Sequence, residues 1–357
     1  KTEHDNRTLL NLTATRVRIG NMRRAEDALG HAEPSFSDSE NHYRVTVKKH
    51  WVATRALAKG HVLAKDDLVM KRVHEQDPDP VEMDKLLGRA LLQDVAEETP
   101  LTRAHVSSSV WALIVARFAS SRLPGKALID IAGGPALGHL FERLKQAASV
   151  DHIVFCTTTA DEDDPLVDLA AAHEIDCYRG PVEDVLGRML GAIEKQPADL
   201  VLRVTGDDIL VDPDYVDRAV AHHLATNAEY TDLKALPSGT EVEVFDADLL
   251  RTIWTAARDR EGTEYLTTYV VEHRDQFRIA YAPVEPQHAH DWRLTLDTPE
   301  DLTVVSGLLE AMKADGKALD YRLDDIVGYF EKNPDALKAN AEVRQRQTPI
   351  EVDVGLN

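Results

Sequence analysis

At 357 residues, 43% of them hydrophobic and 6% aromatic, the chain is long and apolar enough for two or three domains with packed cores. Its 62 Asp and Glu against 41 Lys and Arg leave a formal charge of −21, which excludes the basic surface that nonspecific nucleic-acid binding and docking on anionic membranes need. The cysteines, Cys156 and Cys177, are too few for a disulfide scaffold, and no stretch has the make-up of a membrane span or signal peptide, so a cytoplasmic location is expected. The first residue is Lys1 rather than Met, as in a piece of a longer polypeptide.

Residues 1–46 are polar and poorly periodic and read as a linker or remnant, with too little apolar content to fold alone. One short amphipathic helix is expected there, Ile19–Gly30, closed by Gly30. From 47 to 106, β-like runs at Trp51–Arg55 and Leu68–Val73 alternate with turns, without a long helical pattern, which predicts a small β-rich module. The polar stretch Thr102–Ser109 marks its end, and the unit that follows, 110–345, is expected to fold without it. There strands are predicted at Val110–Ala116, His152–Thr157, Ile175–Tyr178, Leu200–Val204, Glu241–Phe245, Phe277–Tyr281 and Trp292–Leu296. Helices are predicted between several of them, at Leu137–Ala148, Leu166–Ala172, Val182–Glu194 and Val216–Ala225. That rhythm predicts an α/β fold with a doubly wound, largely parallel sheet. Both cysteines fall in predicted strands as small core residues.

The stretch Val115–Lys126, VARFASSRLPGK, leaves the first of these strands and sets Arg117, Arg122 and Lys126 on a short loop with no acidic residue between them. In an acidic chain, such a cluster at a strand end is where a triphosphate would bind, through the planar fork of Arg and the point charge of Lys. On spacing alone an ordinary solvated loop competes with that reading, and neither a Walker A loop nor a GxGxxG turn is present. Two aspartates, Asp207 and Asp297, each follow a predicted strand. Thr298, Pro299 and Asp301 have a plain explanation as a helix start, which leaves Asp297 unexplained. Ligands of open α/β sheets lie beyond the carboxyl ends of strands, so the loop and both aspartates are expected to share one crevice, the carboxylates holding Mg²⁺ against a triphosphate. His288 and His290 lack a third nearby ligand and read as loop, and no nucleophile elbow supports a Ser-His-Asp arrangement.

Beyond VARFASSRLPGKAL, the chain carries HLFERL (139–144), VFCTTTADEDD (154–164), RGPVEDVLGR (179–188), RVTGDDILVDP (203–213), GTEVEVF (239–245) and RLTLDTPEDL (293–302). This ordered series resembles the cytidylyltransferases that activate acidic sugars, a group with acylneuraminate, 3-deoxy-manno-octulosonate and spore-coat-polysaccharide members. Trp51–Val106 resembles the SAF, or antifreeze-like, domain of sialic acid synthases, through VATRALAKGHVLAKDDLVMKR (52–72) and LLGRALLQDVAEETPLT (86–102). The resemblance implies a nucleotide-diphospho-sugar-transferase-like sheet. It also implies Mg²⁺-dependent transfer of CMP from CTP to the anomeric hydroxyl of a 3-deoxy-2-keto sugar acid, with release of pyrophosphate. By the same resemblance, Arg117, Ser121, Arg122 and Lys126 face the CTP phosphates, Thr157 and Thr158 line the nucleotide pocket, and Asp207 and Asp297 hold the metal. Glu241, Glu264 and Arg293 are expected on the sugar.

Arg72 matches an arginine that in the SAF family reaches an amino-sugar substrate across a dimer interface. Here VHEQD follows it in place of a Pro-Gly-rich loop, and a plain surface role is the other reading. The chain departs from the cytidylyltransferase pattern at Gly134, Asp208 and Tyr265, changes expected near the sugar side. These departures motivate a competing expectation, a non-catalytic module that senses CTP or a CMP-sugar beside a sugar-acid synthase. The resemblance implies a homodimer. The order linker, SAF-like module, transferase is the one expected downstream of a synthase barrel, so a synthase–cytidylyltransferase fusion is the expected parent.

Overall fold

The computed structural model describes residues 15–19, 21–24, 39, 48–73, 80–194, 196, 198–257 and 266–343. The chain divides into two units, Lys1–Lys49 with Arg72–Gln76, and His50–Lys71 with Asp77–Asn357. In the first, residues 15–19 and 21–24 are helical and exposed, and the rest of the helix expected at Ile19–Gly30 lies outside the described residues.

The β-rich module has one two-stranded sheet, β1 (Lys49–Ala53) with β2 (Leu68–Arg72). Isolated antiparallel bridges such as Leu57↔Val95, Val62↔Ala90 and Leu91↔Val106 tie the remaining loops together. Their alternate residues build a core in which Leu57, Leu63, Leu86, Leu91, Leu101 and Val106 are each buried.

The α/β domain then runs β3 (Val110–Val115), the hairpin β4 (Asp130–Ile131) and β5 (Gly134–Pro135), α1 (Ala136–Leu144), β6 (His152–Thr158) and α2 (Asp164–Ala172). It continues with β7 (Asp176–Gly180), α3 (Val185–Ala192), β8 (Leu200–Thr205), α4 (Pro213–Ala225), β9 (Tyr230–Asp232), β10 (Glu243–Asp246) and α5 (Ala247–Ala256). The last elements are α6 (Leu266–Glu272), β11 (Ile279–Tyr281), α7 (Pro299–Ala314) and α8 (Leu323–Lys332). Seven strands form one sheet in the order β11-β9-β10-β8-β3-β6-β7. β3 is parallel to β6 and β8, and β7 to β6, so their carboxyl ends lie together; β10 is antiparallel to both its neighbours.

Helices cover both faces. Val110, Ala112 and Ile114 of β3 face α1, α4 and α7, while Trp111 and Leu113 face α3 and α5, which is why that strand is an unbroken apolar run.

One predicted strand is absent. Trp292–Leu296 forms only a single bridge, Ser238↔Arg293, flanked by hydrogen bonds from Ser238 N–H to Trp292 O (3.0 Å) and Leu294 N–H to Ser238 O (2.7 Å). Gly239, at φ +98°, then turns the partner chain away. A Cβ there would stand 2.5 Å from Leu294 backbone, so only glycine fits this close approach. Helix α5 starts at Asp246, a residue type suited to an N-cap, but its side chain makes no cap and pairs elsewhere.

That partner is in the β-rich module. Arg103 reaches Asp246 at 2.6 Å with their side chains 3% and 5% exposed, and Arg89 grips Asp199 through both terminal nitrogens at 2.5 Å. Lys85 pairs with Asp248. Asp199 precedes β8 and Asp246 lies opposite Leu200, so the module docks at the amino end of β8, the end away from the cationic loop. A cut near Ser107 would remove Arg89 and Arg103, the partners of Asp199 and Asp246.

His223 lies beside this contact, fully buried, with Nδ1 2.9 Å from Thr231 Oγ1 and Nε2 3.4 Å from Asp246. Burial lowers its pKa from 6.5 more than Asp246 raises it. The unfolded chain therefore takes up a proton that the folded one refuses, and stability falls as pH drops below 6.5 toward the folded value. The urea midpoint is expected to fall between about pH 6.5 and 5, and His223→Gln to flatten that slope; an unchanged slope in the variant would assign it to other groups.

Candidate active site

Strand β8 delivers Asp207 just beyond its end. Gly206 donates its N–H to Val115 O at 2.9 Å, and a Cβ on it would lie 2.5 Å from the Ala116 Cβ, so glycine lets the Asp207 turn lie against the start of the cationic loop. Asp297 arrives from the facing segment, where Leu296 N–H binds Asp207 O at 2.9 Å. Thr298 caps α7 as predicted, and Asp301, fully buried, accepts from the N–H of Asp297 at 3.1 Å and of Thr298 at 3.0 Å. Arg293, expected on the sugar, instead bonds Asp301 twice at 2.9 Å and Asp297 at 3.2 Å, a positioning role beneath the site.

Lys126 brings the two carboxylates together. Its Nζ stands 2.8 Å from Asp207 Oδ2 and 2.7 Å from Asp297 Oδ1, while Arg122 lies 2.8 Å from Asp297 Oδ2. Burial disfavours the Lys126 charge, but the two carboxylates outweigh it and raise its pKa. Burial likewise pushes against Asp297 ionising, yet Lys126 and Arg122 hold its carboxyl well below the usual range. Next door, burial and the charge of Asp207 push Asp208 up to about 7.

The loop itself is anchored by a residue that spacing did not single out. Asp163, fully buried, accepts from Phe118 N–H at 2.7 Å, Thr157 Oγ1 at 2.8 Å and Thr158 N–H at 3.0 Å. Thr157 and Thr158, expected to line the nucleotide pocket, are buried and directed at Asp163 instead. Through Asp163 they fasten the start of the cationic loop at Phe118.

Two chambers meet at Arg203 and Thr205. One, of about 510 Å³, is lined by Arg117, Ser121, Arg122, Lys126, Asp207 and Asp297, as expected of one shared crevice. Arg188 of α3 also lines it, 2% exposed; a charged residue on a helix face shared with buried Val185, Leu186 and Met189 was the signal for it. The other chamber, of about 740 Å³, is lined by Asp208 and Glu241 among others. Gly134 lines neither and faces a separate hollow with His139 and Lys313, so its expected place near the sugar is corrected. Arg72 ends β2 with its side chain exposed, and Glu264 and Tyr265 lie outside the described residues. His288 is a buried loop residue, bonded to Tyr215 and Asp324 at 2.8 and 2.7 Å.

Asp207 and Asp297 already converge on one cation, the Lys126 ammonium, and offer the hard oxygen donors that Mg²⁺ takes. Among the described residues no three metal-ligating side chains cluster, so a metal ion here would complete its shell from triphosphate oxygens and water. Among them, too, no helix is long and apolar enough to cross a membrane.

Residues 111–339 match the cytidylyltransferase family and residues 51–107 the SAF domain. An uncharacterised protein of Methanocaldococcus jannaschii is 32% identical over 235 residues, spanning 66% of this chain and 95% of that protein. The spore coat polysaccharide biosynthesis protein SpsF of Bacillus subtilis is 32% identical over 231 residues, 63% of this chain and 95% of its own length. The 3-deoxy-manno-octulosonate cytidylyltransferase of Geobacter sulfurreducens is 33% identical over 115 residues, 32% of this chain and 44% of that enzyme. Among solved structures, a cytidylyltransferase from Leptospira borgpetersenii superposes with a TM-score of 0.60 at 26% identity, over 67% of this chain and all of that one. With a cationic loop and paired aspartates at the carboxyl ends of a parallel-rich sheet, the chain belongs to the cytidylyltransferase family, a CTP-dependent nucleotidyltransferase that carries a SAF domain.

Proposed function

We propose that the protein transfers CMP from CTP to the anomeric hydroxyl of a 3-deoxy-2-keto sugar acid, releasing pyrophosphate. The observation that carries this reading is the convergence of Lys126, Asp207 and Asp297 in the smaller chamber, which adjoins the larger one at Arg203 and Thr205. The smaller chamber, with its cations, suits the triphosphate, and the larger one suits the acceptor. The sugar-acid class is supported by the similarity to the 3-deoxy-manno-octulosonate cytidylyltransferase of Geobacter sulfurreducens. The SAF domain, a module the sequence resemblance ties to sugar-acid synthases, supports a synthase as the source of the acceptor.

The acceptor hydroxyl oxygen attacks the α-phosphorus, the bond to the bridging oxygen of pyrophosphate breaks, and the hydroxyl proton passes to water. Asp207 and Asp297 are the residues that would hold Mg²⁺, which when bound supplies positive charge against the α-phosphate and the leaving pyrophosphate. Arg117, Arg122 and Lys126 stabilise charge gathering on the leaving group, so the chemistry is electrostatic preorganisation with no covalent nucleophile. With Asp207 and Asp297 holding a metal ion, Lys126, now 2.8 and 2.7 Å from them, would be free to pair with the phosphates.

Pyrophosphate release with CTP, Mg²⁺ and a panel of eight- and nine-carbon sugar acids tests the reading, and CTP binding without turnover on any of them would favour a sensing module. Lys126→Ala is expected to weaken CTP by roughly 1.5–3 kcal/mol, about 10- to 150-fold in KM, with a smaller effect on the acceptor. A raised acceptor KM at an unchanged CTP KM would give the loop to the wrong substrate.

A further inference from the structure

A 3-deoxy-2-keto sugar acid carries its carboxylate on the same carbon as the hydroxyl that attacks. Where that hydroxyl meets the α-phosphorus, the carboxylate therefore lies beside the reacting centre, and a cation there would hold it. With the triphosphate in the smaller chamber and the acceptor in the larger, the two meet at Arg203 and Thr205, which among the described residues line both. Strand β8 puts a cation at that junction. Leu200, Leu202 and Val204 face one core and Val201 the other, so the alternation carries Arg203 and Thr205 along the Val201 face toward the carboxyl end.

The Arg203 side chain is 12% exposed and pairs with Glu243, its register partner on β10, at 2.5 Å. Glu243 accepts in turn from the hydroxyls of Tyr230 and Thr267, at 3.0 and 2.5 Å, which fixes the guanidinium plane before a substrate arrives. The other lysine or arginine of the larger chamber, Lys234, is exposed and does not line the smaller one. Acidic groups line the larger chamber too, but Glu243 is engaged by Arg203, and burial pushes Asp232 and Glu241 toward neutral forms that repel an anion less. We propose that Arg203 binds the carboxylate of the acceptor and so selects a sugar acid over a neutral sugar. The planar fork of arginine matches the two carboxylate oxygens. This rests on the CMP-transfer reading and names the specificity residue within it. The bond changes are those given above, and Arg203 takes no part in them.

The test is calorimetric titration of the full chain, with Mg²⁺ and cytidine 5′-(α,β-methylene)triphosphate present, using 3-deoxy-manno-octulosonate, N-acetylneuraminate and the C1 carboxamide of each. At least one acid is expected to bind about tenfold tighter or more than its uncharged carboxamide, as a charge-assisted contact allows. In Arg203→Gln that advantage should shrink to within about twofold, while the nucleotide analogue, titrated alone with Mg²⁺, binds as in the wild type. Glu243→Gln still offers Arg203 an acceptor oxygen but no negative charge, so there the advantage should hold or widen. An arginine that only braces Glu243 would instead weaken acid and carboxamide together in both variants. Equal binding of acid and carboxamide by the wild type, an advantage that survives Arg203→Gln, or one that narrows in Glu243→Gln would each overturn the assignment. The Glu243→Gln result decides alone if Arg203→Gln does not fold. Weaker binding of the analogue by a folded Arg203→Gln would give the residue to the nucleotide and overturn it too. Pyrophosphate release from CTP with the same acids keeps the two readings apart. Wild-type turnover beside any of those outcomes removes Arg203 and leaves CMP transfer standing, whereas neither acid binding or turning over sinks both.

Discussion

Asp297→Asn is expected to lower kcat by at least about a hundredfold while the protein stays folded, the scale of losing one preorganised electrostatic contact at the reacting phosphate. Asp207→Asn should behave alike. The fold survives because Asp297 is only partly buried and its backbone N–H is held by Asp301, not by its own side chain. A second readout separates a lost metal ligand from general damage. Without the Asp297 carboxylate, Lys126, Arg122 and Arg293 lose a shared anion and gain affinity for a free triphosphate. Metal-free CTP should therefore bind the variant at least as tightly as the wild type, although turnover is gone. Activity within about threefold of wild type would remove the carboxylate from the chemistry.

Arg103→Ala should destabilise the protein by about 3–5 kcal/mol, the cost of leaving a buried carboxylate without its partner. Asp246 is 3% exposed, and its remaining neighbour, His223, is held neutral by burial. The double variant Arg103→Met/Asp246→Leu, which removes both charges, should recover most of that loss. Denaturation midpoints of the two variants check it: a double variant no more stable than the single one would mean that the contact matters through shape alone.

Much of this was legible in the sequence where a local rule operates. The apolar run of β3, the cationic loop after it and the Thr298–Asp301 cap depend on neighbours in sequence, and each stands as expected. The misses are long-range. Thr157 and Thr158 look like pocket residues until Asp163 folds back on them, and Arg293 looks like a substrate residue until α7 presents Asp301 to it. Trp292–Leu296 has the composition of a strand, but the turn at Gly239 denies it a partner. The docking of the SAF domain rests on Arg89, Arg103 and Lys85, single charges whose partners lie over a hundred positions away. No spacing rule pairs them.

The Asp207 and Asp297 turns are joined by one main-chain hydrogen bond, from Leu296 N–H to Asp207 O. The distance between the two acids is thus written in the peptide backbone, where side-chain drift cannot edit it. The gauge that sets the spacing reads no side chain: at position 296 it needs only a residue that still has an N–H. Proline is the single natural residue that would erase it.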